Sequence, residues 1–272
     1  MKSLIISGLL LLTMTGARAQ EPRYTTENQT VVNLTGGKAQ GEIQKGIYIY
    51  KGIPYAHVTR FMPPEAPESW DGIRTFTEYG HICPQAPMPV ENDFISNQRI
   101  AVEGEDCQNL NVWTPGINDG KKRPVMVWLH GGGFQTGSAI EQRVYDGTNL
   151  SRKGDVVVVS INHRLNVLGF LDLSAYGNEY RYSGNAGTMD MVAALKWIQS
   201  NIEVFGGDPD NITLFGQSGG GAKIIVLMTT PVAKGLFHKG IIQSGAVEAC
   251  GMTNVITKIG RHVAELILNN LG

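Results

Sequence analysis

The sequence predicts an α/β protein in which short antiparallel strands lead into a mainly parallel central sheet, and three observations carry that prediction. Early segments alternate apolar and polar residues between turns containing Gly or Pro, as half-buried antiparallel strands do. The segments PVMVWLH and DVVVVSINHR are instead nearly continuous apolar runs rich in valine, which is the pattern of strands covered on both faces. From there on, strands alternate with helical stretches. Right-handed crossovers then place helices on both faces of the sheet.

The elements follow in chain order. Lys2 precedes an apolar run from Leu4 to Leu12, and Ala17-Arg18-Ala19 offers the small residues a signal peptidase reads. Residues 1–19 are therefore expected to be a cleaved secretory signal, because the run falls short of the ~18 apolar residues that span a bilayer. A secreted or periplasmic protein follows, with no membrane attachment after cleavage, and residues 20–272 form one domain. Its first strands fit VVNLTGG, GEIQKGIYIYKGI and LNVWTPG. Lys121-Lys122-Arg123, just before PVMVWLH, is expected to be a solvated loop that guards an apolar strand against aggregation. In NAGTMDMVAALKWIQSNIEVFGG, Met189, Val192, Leu195, Trp197 and Ile198 recur at helical spacing, and Gly206-Gly207 closes the helix. GDPD reads as a turn into the strand NITLF, a helix fits Gly220 to Met228, and a strand fits GIIQSG. The last stretch sets Val255, Ile259, Val263 and Leu266 on one helical face that needs a partner.

A composition of 42% hydrophobic and 17% charged residues over 272 positions excludes a disordered chain or a coiled coil. The formal charge of −1 becomes −3 once Lys2 and Arg18 leave with the signal, so nothing favours nucleic acid as a partner. No cluster has metal-ligand spacing. Three cysteines in an exported chain permit one disulfide and leave one thiol over.

Reactive groups of open α/β sheets gather at the carboxyl ends of strands. Two unusual segments stand there. His130-Gly131-Gly132-Gly133-Phe134 follows PVMVWL, and Gly216-Gln217-Ser218-Gly219-Gly220, a G-x-S-x-G, follows NITLF. A serine presented on a strained strand-to-helix turn needs glycines where neighbouring backbone crowds in. Ser218 is thus the expected nucleophile, with the amides of Gly132, Gly133 and Gly219 as the expected oxyanion donors. G-x-S-x-G alone is a weak signal, since Gly and Ser are common in turns; its pairing with HGGGF after a separate buried strand is specific. His130, on the glycine loop, suits support of that loop better than duty as general base.

These segments, with YKGIPYA, EDCQNLNVW, NHRLNVLGF, GNAGTMDMVAALKWIQ, FGGDPDNITLFGQSGGG and GLFHKGIIQSG, resemble the type B carboxylesterases, a family that includes cholinesterases and bacterial para-nitrobenzyl esterases. The resemblance implies an α/β-hydrolase fold, hydrolysis of a small-molecule ester through an acyl-enzyme, no cofactor, and a Ser-Glu-His triad. It also implies a disulfide between Cys83 and Cys107, leaving Cys250 as the spare thiol, and a buried ion pair between Arg164 and Asp190.

The departures bear equally on function. Members of the family are about twice as long, with the acid and histidine of the triad well downstream of the serine. Here only His238 and His262 follow Ser218. His238, in GLFHKG, reads as a packing residue, and His262 has no counterpart as a base. The chain is therefore expected to be the amino-terminal portion of the fold, truncated before the carboxyl half, with that half as its missing partner and little activity alone. Position 217 is Gln where many members have Glu. Phe94 is the one aromatic between Cys83 and Cys107, where the family's choline site uses a tryptophan, so capture of a quaternary ammonium is disfavoured. Two other readings compete, a non-catalytic cholinesterase-like binding or adhesion protein and an inactive fragment. Asn28 and Asn33 begin Asn-x-Thr glycosylation patterns.

Overall fold

The computed structural model describes residues 29–86, 100–245 and 257–271. The expected signal segment, Asn28, Phe94, Cys250 and Val255 lie outside them. The chain opens with β1 (Val31–Leu34), β2 (Gly37–Gln40), β3 (Glu42–Gln44), β4 (Ile47–Pro54) and β5 (Ile73–Thr75). β1, β2 and β5 make a small three-stranded sheet. The valine-rich pattern then takes over: β6 (Asn109–Thr114), β7 (Arg123–Leu129), α1 (Thr148–Gly154), β8 (Val157–Ile161), α2 (Asn166–Phe170), α3 (Ala186–Asn201), β9 (Gly207–Gln217), α4 (Gly219–Thr229), β10 (Lys239–Gln243) and α5 (Thr257–Leu271).

The main sheet has seven strands in the order β10-β9-β7-β8-β6-β4-β3. β10, β9, β7 and β8 run parallel to one another, whereas β8 with β6, β6 with β4 and β4 with β3 pair antiparallel, so the parallel part of the sheet ends at β8. Every residue of β8 is buried, as continuous apolar strands require when helices cover both faces. β6, expected to be half-buried, is buried along its whole length. Leu110 and Val112 enter the main core, while Trp113 faces the other way against Ile47, Ile49, Val156 and Val158.

α3 lays Met191, Leu195 and Ile198 into the main core with Val125, Val127, Val157 and Leu214 from the sheet. Burying each such side chain contributes about 1.5–3 kcal/mol. Three local expectations need correction. GDPD belongs formally to β9, but the register jumps from Arg123↔Gly207 to Val125↔Ile212, so these residues bulge out of the ladder while keeping a turn, Asp210 N to Asp208 Oδ1 at 3.0 Å. Lys121 and Lys122 are exposed as expected, but Arg123 is the first residue of β7 and is buried, with Nη1 and Nη2 on Asp119 at 3.0 and 2.8 Å and Nε on Asp155 at 2.7 Å. An arginine can start a strand in the interior because carboxylates meet it, chiefly Asp119 through two bonds, with the more exposed Asp155 adding a third. In α5, Ala264 and Ile267 pack against Leu171, Leu173 and Phe61, whereas Val263 and Leu266 of the expected stripe stay 43% and 50% exposed.

Candidate active site

β9 ends at Gln217 and α4 begins at Gly219, so Ser218 alone makes the turn, with φ 55° and ψ −123°. That conformation costs a non-glycine residue on the order of 1–3 kcal/mol and persists only where its surroundings enforce it. Enforcement is visible on both sides. The Ser218 amide donates to Gln243 O at 2.8 Å, and its carbonyl accepts from the Ala222 amide at 3.1 Å. A side chain at Gly216 would lie 2.6 Å from the backbone of Gly220, and one at Gly220 would overlap the Leu129 carbonyl. The spacing of G-x-S-x-G is thus set by room, since strand, turn and helix meet where no Cβ fits.

The glycine loop leaves the end of β7 beside this turn. Gly132 and Gly133 have φ of 79° and 66°, and the loop folds back as the amides of Gln135 and Thr136 donate to Gly132 O at 3.3 and 3.1 Å. A Cβ at Gly131 would lie 3.8 Å from Ser218 Cβ, and one at Gly219 would overlap the Gly133 backbone. The loop and the elbow therefore touch through bare main chain. Among the described residues the amides of Gly132, Gly133 and Gly219 donate no hydrogen bond.

Neither His130 nor His163 is exposed. Their rings stack at 5.2 Å, with His130 Nδ1 2.9 Å from Gly131 O and His163 Nδ1 2.8 Å from Arg164 O. Burial first, then the nearby Lys223 charge and the neighbouring ring, hold the His130 pKa well below the usual imidazole value; burial and Lys223 do the same for His163. Both rings are neutral props. His238 accepts the Ile212 amide at 3.1 Å, and His262 lies on exposed α5, 3.6 Å from Glu265. Among the described residues no imidazole or carboxylate hydrogen-bonds Ser218. The side chain of Gln217 faces outward.

Arg164 and Asp190 meet in a bidentate pair, Nε to Oδ2 at 2.8 Å and Nη2 to Oδ1 at 2.7 Å, with the Arg164 amide on Oδ2 at 3.0 Å and Nη1 on Met62 O at 2.8 Å. Three segments are joined there: the loop after β8, helix α3 and the loop around Met62. Cys83 and Cys107 stand in the structure as two free buried thiols in one small cluster with Leu165, whose amide donates to Cys83 Sγ at 3.2 Å. The neighbouring Cys107 thiol lowers the Cys83 pKa, and Cys83 together with burial pushes that of Cys107 up.

An open groove of about 970 Å³ runs past the glycine loop, lined by Phe134, Gln135, Asn166, Val167, Phe170 and Val263 among others. Its walls are predominantly apolar. The Asn166 amide donates to Phe134 O at 2.8 Å, so groove and glycine loop are held together. One side chain near the loop escaped sequence analysis altogether. Lys223 is fully buried in α4, and the signal available was a lone charge inside GGGAKIIVLM, an otherwise apolar helix start. Among the described residues no helix is long and apolar enough to cross a membrane, and no group of three His, Cys, Asp or Glu is placed to hold a metal.

The sheet with its helices on both faces, carrying a serine elbow against a glycine loop, is the arrangement of the α/β-hydrolase fold. Residues 28–269 match the Carboxylesterase family, and the chain belongs to it. Para-nitrobenzyl esterase of Bacillus subtilis (strain 168) is 45% identical over 220 residues, covering 79% of this chain and 44% of that protein. Human cocaine esterase is 39% identical over 262 residues, covering 92% and 45% respectively. Among solved structures, an esterase from anaerobic Clostridium hathewayi that can hydrolyze aliphatic aromatic polyesters superposes with a TM-score of 0.77 at 51% identity, over 79% of this chain and 43% of that one. Carboxylesterase EST55 of Geobacillus stearothermophilus gives 0.70 at 46%, over 78% and 42%. The chain thus spans less than half the length of these relatives.

Proposed function

We propose that this chain carries the nucleophile and oxyanion-binding part of a serine carboxylic ester hydrolase. The observation that supports this best is the strained Ser218 backbone, enforced between Gly216 and Gly220 and set against a glycine loop with unpaired amides. In this reading Ser218 Oγ attacks the carbonyl carbon of a small-molecule ester while a base takes its proton. The carbonyl oxygen becomes an oxyanion held by the amides of Gly132, Gly133 and Gly219, the alcohol leaves with a proton, and water then hydrolyses the acyl-enzyme. His130 is a poor candidate for the base, because burial holds its pKa well below the usual imidazole value and, among the described residues, it makes no hydrogen bond to Ser218. The triad acid and histidine are assigned to sequence that the longer relatives have and these 272 residues do not span. The groove beside Phe134 suits an apolar acyl or alcohol group.

Export to an oxidising compartment belongs to the same reading, as does oxidation there of the Cys83 and Cys107 thiols to a disulfide, for which their contact in one buried cluster is the support. The test is turnover of p-nitrophenyl acetate together with fluorophosphonate labelling. The 272 residues alone should hydrolyse at background rate, since losing the serine or its histidine costs on the order of 10⁶ in a well-studied hydrolase. Joined to or mixed with the natural downstream segment, the protein should turn over ester and label at Ser218, and both should vanish in Ser218→Ala. Vigorous hydrolysis by the isolated chain would point to an unrecognised base within it. A complete protein that does not label would favour a non-catalytic binding protein.

A further inference from the structure

Lys223 lies on the second turn of α4, the helix that begins immediately after Ser218, and it is 0% exposed. An amine so placed carries a desolvation cost that a methionine of similar length would avoid. Its position must therefore be judged by what the amine touches. Nζ lies 2.9 Å from His130 O, 3.5 Å from His130 Nδ1 and 5.8 Å from the centre of the Phe134 ring. These are the first and last residues of the His130-Gly131-Gly132-Gly133-Phe134 loop.

The ladder between β7 and β9 stops one residue short of His130, at Leu129↔Gly216. The His130 carbonyl lies just beyond that ladder, and Lys223 donates to it. His130 Nδ1 is already engaged by Gly131 O, so the His130 carbonyl is the stronger contact of the two. Gly131 to Gly133 have no side chains with which to anchor themselves. Their placement relative to Ser218 depends on the two ends of the loop, and Lys223 reaches both from the nucleophile's own helix.

We propose that Lys223 is a positioning residue for ester hydrolysis: by tying the His130 carbonyl to α4, it fixes the glycine loop against the serine elbow so that the loop amides face the oxyanion. The role rests on the ester-hydrolase reading above. It requires no contact between Lys223 and substrate, and no proton transfer by its amine.

The experiment compares wild type, Lys223→Met and Lys223→Gln in the whole protein that carries this chain. Misplacing a reacting group by about 1 Å can cost about 10²-fold, so kcat for p-nitrophenyl acetate in Lys223→Met should fall about 10- to 100-fold. KM should stay within about threefold, because ground-state binding in the groove is untouched. A trifluoromethyl ketone, whose adduct presents an oxyanion, should lose affinity in parallel with kcat. Lys223→Gln keeps an N–H donor and should recover part of the loss. Hydrogen exchange of the amides of residues 130–137 should be at least about tenfold faster in Lys223→Met, as loosening of a local tie predicts. An active wild type with an equally active Lys223→Met, or unchanged exchange in the loop, overturns this role alone. A Lys223→Met protein in which kcat, KM and thermal stability all deteriorate together also overturns it, in favour of a purely structural lysine. A wild type that neither turns over ester nor labels at Ser218 overturns the ester-hydrolase reading, and this role with it.

Discussion

Arg164 and Lys223 are both cations with no more than 3% of their surface exposed, and the fold deals with them in opposite ways. Arg164 faces a carboxylate through two short bonds and spends a third donor on the Met62 carbonyl. Lys223 faces a backbone carbonyl, a neutral imidazole and an aromatic ring. Burial lowers its pKa to about 7, against a smaller upward pull from Glu141. The first arrangement is a permanently charged clamp between segments. The second is an amine that titrates near neutrality while keeping an N–H donor in either state, which suits a group needed for a hydrogen bond more than for a charge.

Four measurements can break or sharpen this contrast. Asp190→Ala leaves the Arg164 guanidinium buried and unpaired, and should cost about 3–5 kcal/mol in urea denaturation. A loss below about 1 kcal/mol would mean that water reaches the guanidinium and that the clamp is not one.

The second measurement concerns Lys223, whose folded pKa of about 7 lies below its ordinary 10.5. Between those values the unfolded chain holds a proton that the folded one has released, so stability must rise with pH across this window, by up to a few kcal/mol. Denaturation at pH 7.5 and 9.5 should show that rise in wild type and a smaller one in Lys223→Met. Equal slopes would place the amine in contact with solvent.

The third lies on the acid side. His130 and His163 have folded pKa values held well below 6.5, so beneath that pH the unfolded chain takes up protons that the folded chain refuses. Stability should therefore fall as pH drops below about 6.5. His163→Phe, which keeps the stack, should remove about half of that dependence in paired denaturation curves.

Smallest is Asp155→Ala. Asp155 is 70% exposed, and Arg123 keeps both contacts to Asp119 without it, so the change should stay within about 1 kcal/mol by thermal melting.

Much of this was legible in the sequence for identifiable reasons. Valine runs reveal parallel strands because burial on both faces removes alternation, and G-x-S-x-G with HGGGF reveals the elbow because only glycine fits where backbones meet. The paired Arg164 and Asp190 were legible through resemblance to a family; spacing alone does not bring together residues 26 apart. What stayed hidden depended on neighbours distant in sequence. Arg123 looked like part of a solvated basic run because what buries it is its place at the start of β7, where its amide donates to Gly206 O at 2.8 Å, a neighbour distant in sequence. Lys223 went unnoticed because its acceptor, the His130 carbonyl, lies 93 residues away. The inward face of α5 was misjudged because Ala264, with little hydrophobic weight, is the residue that fits against Leu171 and Leu173.

The contact between Gly133 and Gly219 has a consequence for how such a site could be altered by laboratory evolution. A surface built from main chain at Gly131, Gly132, Gly133, Gly216, Gly219 and Gly220 offers no side chain to exchange, and most of these positions have no room to accept one. Diversity introduced there would be spent on misfolded variants. The neighbouring wall formed by Gln135, Val167 and Phe170 does carry side chains. If the proposed ester hydrolysis holds, libraries directed at those three positions should redistribute preference among esters while leaving the chemistry intact, with adaptability and reactivity in adjacent but separate parts of the same cleft.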